Sequence, residues 1–200
     1  MAVTALVFYA LFGVLGFGWR SWLQYHRTGS TGFRGVTGRL GSMEWIAGTG
    51  FLVAIAVGVA APALQLAAML HPIGILTAPA VQTTGIVLAL AGIFGTLYAQ
   101  NQMGESWRIG VDPTETTDLV QTGVFGLVRN PIFTAMLVFG AGITLLTPNP
   151  LALTGFVLLL ATIELQVRVV EEPYLRDCHG NTYRTYSRNV GRFVPRVGLT

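Results

Sequence analysis

The sequence predicts an all-α bundle of membrane-spanning helices, about five by the length an apolar helix needs to cross a bilayer. Three observations carry that expectation. Of 200 residues, 52% are hydrophobic and 10% charged, where a soluble chain carries about 25% charged residues. The apolar residues fall into long uncharged runs. All 12 basic residues are Arg, and most lie between or after those runs, as loop and tail charges rather than a basic groove for nucleic acid. The whole of 1–200 reads as one integral membrane domain, its first half, 1–100, holding three spans.

From Met1 to Gly18 the only ionisable side chain is that of Tyr9, and Trp19, Trp22 and Tyr25 come next, an aromatic belt at a membrane interface. The first Arg, Arg20, lies after the run rather than before it, so an uncleaved helix is expected rather than a secretory signal. Trp45–Leu70 forms a second run, His71-Pro72 breaks it, and Ile73–Gln100 forms a third, the two reading as an antiparallel pair. Gly50, Ala54 and Gly58, and then Gly85 and Ala89, recur at four-residue spacing, which lets helix backbones approach closely. Pro131–Thr147 is a fourth run. After Pro148-Asn149-Pro150 a fifth extends from Leu151 to about Ile163, completing a tight hairpin.

Loop 20–44 holds Arg20, Arg27, Arg34 and Arg39 against Glu44, and the 165–200 tail holds six Arg against three acids. The connections at His71-Pro72 and at 148–150 hold no Arg. The positive-inside rule then places the amino terminus outside and the carboxyl terminus in the cytoplasm.

Segment 101–130 is polar and longer than an ordinary connection, with Glu105, Trp107, Arg108, Asp112, Pro113, Glu115, Thr117 and Asp118 along it. It ends in Arg129-Asn130-Pro131. Asn is a favoured N-cap and Pro a favoured first helical residue, so this tripeptide starts the fourth helix. The same helix start beside a cation also suits an anion, since dipole and charge both favour a carboxylate or phosphate there. Glu164, Arg168, Glu171 and Leu175 are spaced to share one helical face, with Glu172 beside it. That face is either a surface ion-pair ladder or a polar site facing the bundle interior. The aromatic and basic tail beyond it, with Tyr183, Tyr186, Arg192 and Phe193, suits anionic lipid headgroups.

A glycine-rich dinucleotide loop, a phosphate loop, paired metal-spaced His and a Gly-x-Ser-x-Gly elbow are all absent. His26, His71 and His179 stand alone, and the single Cys178 excludes a disulfide framework.

The order of the remaining pieces is more telling than any one of them: Leu119-Val120-x-Thr122-Gly123-x-Phe125, Arg129-Asn130-Pro131-Ile132-Phe133, an apolar hairpin, Glu171-Glu172-x-x-Leu175, Gly180-x-x-Tyr183-x-x-Tyr186 and Arg192-Phe193-x-Pro195. This series resembles the isoprenylcysteine carboxyl methyltransferase family and its phospholipid methyltransferase relatives, over about residues 100–196. The resemblance implies a small membrane-helix bundle that binds S-adenosylmethionine near the cytoplasmic face without a soluble nucleotide-binding fold and admits a lipophilic or prenylated acceptor from the bilayer.

Carried over by motif, cofactor contacts fall on Thr117, Asp118, Leu119, Val120, Phe125, Arg129, Asn130, Pro131, Ile132, Phe133, Glu171 and Glu172, with Arg168 and Glu171 in catalytic positions. The expected arrangement puts the cofactor carboxylate at the Arg129-Asn130-Pro131 helix start and Glu171 at its amino or ribose groups. Phe125 and Phe133 wall the adenosyl part, and Arg168 holds an acceptor carboxylate or headgroup. The family pattern Arg-His-Pro-x-Tyr-x-Gly here reads Arg129-Asn130-Pro131-Ile132-Phe133-Thr134-Ala135, without imidazole or phenol.

The expected activity is methyl transfer to a lipophilic acceptor at the cytoplasmic face of a membrane, a bacterial cytoplasmic membrane on composition. The alternatives are a membrane reductase using a nicotinamide cofactor, which a basic phosphate pocket would favour, and a non-enzymatic scaffold.

Overall fold

The computed structural model describes residues 1–33, 35–36, 38–107 and 118–200. Its helices are α1 (Ala2–Phe12), α2 (Arg20–Thr28), α3 (Met43–Leu66), α4 (Pro79–Met103), α5 (Pro131–Leu146), α6 (Pro150–Leu165) and α7 (Glu172–Asn189), and no strand occurs among the described residues. A π-helical stretch, Gly13–Trp19, joins α1 to α2, and a second, Gln166–Glu171, joins α6 to α7. The result is continuous helix over Ala2–Thr28 and Pro150–Asn189.

Among the described residues four helices are long and apolar enough to cross a membrane: Ala2–Thr28, Met43–Leu66, Pro79–Met103 and the helix that begins at Pro150. The fourth apolar run departs from the five-span expectation. It forms a 16-residue helix, α5, which at 1.5 Å per residue reaches about 24 Å against a hydrocarbon core of about 30 Å. The first helix also runs past Gly18 to Thr28, because Arg20 and Gln24 are buried against the bundle while Trp19, Trp22 and Tyr25 face outward. α4 begins at Pro79 rather than Ile73, since Pro at the first position suits a helix start and a 3₁₀ turn occupies Gly74–Leu76.

The helices pair differently from the antiparallel pair expected of the second and third runs: α4 lies along α5 and α3 along α6, with little contact between α3 and α4. Glycine permits both unions. A Cβ on Gly142 would lie 2.4 Å from the Ala89 backbone nitrogen, and one on Gly92 2.5 Å from that of Phe139. Across the other union a Cβ on Gly155 would meet the Gly58 nitrogen at 3.2 Å. Such close backbone approach is how helices associate where lipid removes the hydrophobic drive between them. α1 packs into the bundle through Phe12, whose ring stacks on Phe139 at 4.4 Å, and Tyr9, edge-on to the same ring at 5.3 Å.

Two side-chain bonds fix the first helix against α4 in parallel register. Gln100 Nε2 donates to the Gly16 carbonyl at 2.8 Å, and four residues on, Arg20 Nη2 donates to the Gly104 carbonyl. At the far end Asn149 caps α6, its Oδ1 accepting from the Ala152 N–H at 2.9 Å, and its Nδ2 donates to Gln65 Oε1 at 2.9 Å, tying the hairpin to α3.

Candidate active site

The carboxyl-terminal tail folds back over the start of α5, burying Tyr183, Tyr186 and Arg192 while Val194, Val197 and Leu199 stay exposed. The N–H groups of Arg129 and Asn130 donate to the carbonyls of Gly191 and Arg192 at 2.8 and 3.1 Å, and Thr134 Oγ1 donates to the Phe193 carbonyl at 2.9 Å. Gly180 makes this possible. Its φ of 51°, open to glycine at little steric expense, bends α7 so that Tyr183 and Tyr186 are buried. The Tyr186 hydroxyl donates to the Phe125 carbonyl, fixing the 3₁₀ turn Gly123–Gly126.

A buried ion cluster locks the fold-back. Glu172 Oε1 accepts from Arg129 Nη2 at 2.8 Å and Arg192 Nε at 2.7 Å, and Oε2 accepts from Arg192 Nη2 at 3.0 Å. The three side chains are 4%, 2% and 7% exposed. Arg129 also donates to the carbonyls of Ser187, Val190 and Gly198. The hydrogen bonds to Glu172 hold the Arg192 guanidinium above its ordinary pKa, against the opposing effect of burial.

Asn130 occupies the N-cap position of α5, but its side chain makes no cap bond and Nδ2 instead donates to the Arg192 carbonyl at 3.2 Å. The first-turn N–H groups of Ile132 and Phe133 therefore have no partner within the helix, and both residues line a large cavity.

That cavity, about 1020 Å³, runs from this helix start into the bundle between α1, α3, α5 and α6. Its polar end brings together Asp118, Leu119, Val120, Phe125, Arg129, Asn130, Pro131, Ile132, Phe133, Glu171 and Glu172. Thr117 lies outside the described residues, as do Arg34, Arg108, Asp112, Pro113, Glu115 and the side chain of Glu105. Among the described residues no group of three or more His, Cys, Asp or Glu side chains stands close enough to hold a metal.

Arg168 is not brought to the chamber. It is 56% exposed and pairs with Glu164 one turn back on the outer face. The π stretch explains the difference. Inserting one residue per π turn rotates the downstream helix by about 100° relative to an unbroken α-helix, so the face expected to carry Glu164, Arg168, Glu171 and Leu175 is split. Glu171 and Leu175 turn inward with Gln166, whose Nε2 lies 3.4 Å from Glu171 Oε1.

Sequence reasoning missed the chamber's other wall: Tyr9, Gly13 and Phe17 of the first helix, Phe51 and Ile55 of α3, and Gln100 and Gln166. The two glutamines were findable, since polar side chains inside apolar runs tend to face a bundle interior. The aromatics were not, because a lipid-facing and a chamber-facing Phe read alike.

Residues 81–182, which include the chamber's polar-end residues from Asp118 to Glu172, match the pattern of the phospholipid methyltransferase family. The chain belongs to that family. It is similar to the protein-S-isoprenylcysteine O-methyltransferase of Saccharomyces cerevisiae, 30% identical over 115 residues, or 56% of this chain and 48% of the yeast protein. Probable protein-S-isoprenylcysteine O-methyltransferases of Oryza sativa subsp. indica and subsp. japonica are 26% identical over 119 residues, 58% of this chain and 62% of theirs. The chain thus matches about half to three-fifths of the length of these relatives, and membership in the family accords with the series of motifs from Leu119 to Pro195.

Proposed function

We propose that the protein is an integral membrane methyltransferase that uses S-adenosylmethionine to methylate a lipophilic acceptor, of the isoprenylcysteine carboxylate kind, in the chamber between α1, α3, α5 and α6. One observation carries the reading: a single cavity joins a polar, acid-rich mouth to an apolar, aromatic interior. Among the described residues the mouth's charged side chains are Glu44, Asp118, Glu171 and Glu172 against Arg129 alone, and Arg129 is engaged by Glu172, which it shares with the buried Arg192, leaving Glu44, Asp118 and Glu171 as the acids outside that cluster. Such a mouth suits a sulfonium that also bears an ammonium group. It suits the several phosphates of a nicotinamide dinucleotide poorly, which disfavours a reductase.

When bound, S-adenosylmethionine supplies an electrophilic methyl carbon: the acceptor oxygen's lone pair forms the new C–O bond as the C–S bond breaks and sulfur keeps the electron pair. The protein's part is binding, orientation and exclusion of water. Glu171 faces the cofactor's cationic or hydroxyl groups. The free N–H groups of Ile132 and Phe133 receive its carboxylate, and Phe125 and Phe133 wall the adenosyl part. Arg129 and Glu172 hold these walls in place through the buried cluster. The apolar interior takes the acceptor's hydrocarbon chain, with the Tyr9 hydroxyl as a polar group set among Phe12, Phe139 and Gly58. The arginine-rich loop and tail support a cytoplasmic position for the polar mouth.

The test is transfer of labelled methyl from S-adenosylmethionine by the detergent-purified protein to a farnesylated cysteine with a free carboxylate and, separately, to phosphatidylethanolamine. Labelling of the first supports the reading. Labelling of the second alone keeps the enzyme class and replaces the acceptor, and labelling of neither overturns the proposal.

A further inference from the structure

A buried hydrogen-bond acceptor in the chamber wall has no partner among the described residues. Gln100, near the end of α4, is 1% exposed and is one of the residues lining the chamber. Its Nε2 donates to the Gly16 carbonyl at 2.8 Å. Since a carbonyl only accepts, this bond fixes which arm of the amide is NH₂ and which is oxygen. Oε1 is therefore held in a set orientation, and it makes no hydrogen bond among the described residues.

An acceptor buried in this way costs about 1–3 kcal/mol, and buried polar groups in folded proteins are otherwise paired. Arg20, one turn beyond Gly16, donates through Nη2 to the Gly104 carbonyl and stacks over the Trp107 ring at 4.6 Å; its Nε and Nη1, and the Thr96 Oγ1 one turn before Gln100, are also buried without a partner among the described residues, so none of these donors is bonded to Gln100 Oε1. The residues that flank Gln100 in the wall, Gly13 and Phe17 on the first helix and Met103 beside it on α4, offer no side-chain donor. Gly16 lies inside the first π stretch, so the carbonyl that orients the amide belongs to the same distorted segment that contributes Gly13 and Phe17 to the chamber.

We infer that Gln100 is a ligand-positioning residue whose Oε1 accepts a hydrogen bond from an N–H or O–H group of the adenosyl donor bound at the chamber's polar end. The inference rests on the methyltransferase reading above and adds to it a contact from the amino-terminal half of the chain, where no motif of the family resemblance lies. It also explains why a glutamine stands beside Gly13, Phe17 and Met103 in the wall, where a purely packing role would be filled by a residue without an orphaned oxygen.

The test is Gln100→Met in the full chain, which keeps the length and flexibility of the side chain while removing both hydrogen-bonding arms, with Gln100→Leu as a second variant. Two quantities are read: thermal unfolding without ligand, and the Kd for S-adenosylhomocysteine by calorimetry. Removing the orphaned acceptor offsets the lost bond to Gly16, so unliganded stability is expected to stay level or rise, while Kd rises about tenfold, the effect of one hydrogen bond. A merely structural glutamine gives the opposite pattern, lower unliganded stability with unchanged Kd, and that result in either variant, or failure of both to fold, overturns the inference. Wild-type protein that does not bind S-adenosylhomocysteine overturns the methyltransferase reading and this inference with it. Wild-type binding that survives in both variants overturns the inference alone.

Discussion

Two buried arginines, Arg129 and Arg192, and a more exposed third, Arg176 at 3.9 Å, converge on Glu172, which ties the start of α5 to the carboxyl-terminal segment, so its removal is a severe local perturbation. In Glu172→Ala the three bonds of 2.7 to 3.0 Å disappear and two guanidinium groups, 2% and 7% exposed, are left without their counter-charge. Breaking a buried pair by removing one partner costs about 3–5 kcal/mol. At roughly 2–4 °C per kcal/mol for a domain of this size, Tm in detergent should fall by about 6–20 °C. The arginines are predicted to differ: Arg129→Ala costs more than Arg192→Ala, because Arg129 also satisfies the carbonyls of Ser187, Val190 and Gly198. The assay is thermal unfolding followed by tryptophan fluorescence or circular dichroism. A Glu172→Ala protein within about 1 kcal/mol of wild type, where a mere surface pair would leave it, would refute the cluster's structural role. The reverse order of the arginines would refute the assignment of the fold-back to Arg129.

Gly142→Ala and Gly92→Ala each place a Cβ within 2.5 Å of backbone on the partner helix, so overpacking of about 1–3 kcal/mol and lowered Tm are expected, whereas Gly13→Ala, which meets nothing within 4 Å, should be tolerated on thermal unfolding. Gly58→Ala drives a Cβ to within 2.2 Å of the Tyr9 hydroxyl and should raise KM for the lipid acceptor more than KM for S-adenosylmethionine in steady-state assays. An equal rise in both contradicts the placement of the acceptor chain. Arg168→Ala removes an exposed pair with Glu164, worth about 0.3–0.5 kcal/mol, and should leave both Tm and methyl transfer near wild type. A large loss of kcat there would restore a substrate-side role for that residue.

The apolar runs were legible because an uncharged stretch of membrane length has few other readings; the ends of the second, fourth and fifth runs lay close to those of α3, α5 and α6, whereas the first helix continues past Gly18 to Thr28 and α4 starts at Pro79 rather than Ile73. The pairing of α3 with α6 and of α4 with α5 was not legible, since in a bilayer the lipid-facing and helix-facing sides of a span are equally apolar; only the small residues Gly50, Ala54, Gly58, Gly85 and Ala89 marked contact, and not with whom. The π stretches were invisible for a different reason: they break the 3.6-residue period on which any argument about shared faces rests, which is why Arg168 was drawn to the site and Gln166 overlooked. The site's motifs read well where they are local, as at Arg129–Phe133. The fold-back of the tail depends on Arg129 meeting Glu172 43 residues on, and long-range pairing of charges leaves no periodic trace.

The polar mouth of the chamber is, on this reading, an S-adenosylmethionine site with Glu171 in contact. Calorimetric titration of the detergent-purified protein with S-adenosylhomocysteine, wild type against Glu171→Ala, tests that central claim most directly. The expected result is saturable one-site binding by the wild type, and in the variant a loss of about 10- to 100-fold in affinity, the range for a hydrogen bond to a charged group, with unliganded Tm retained. Equal affinity in the two proteins, or no binding by the wild type, would contradict it.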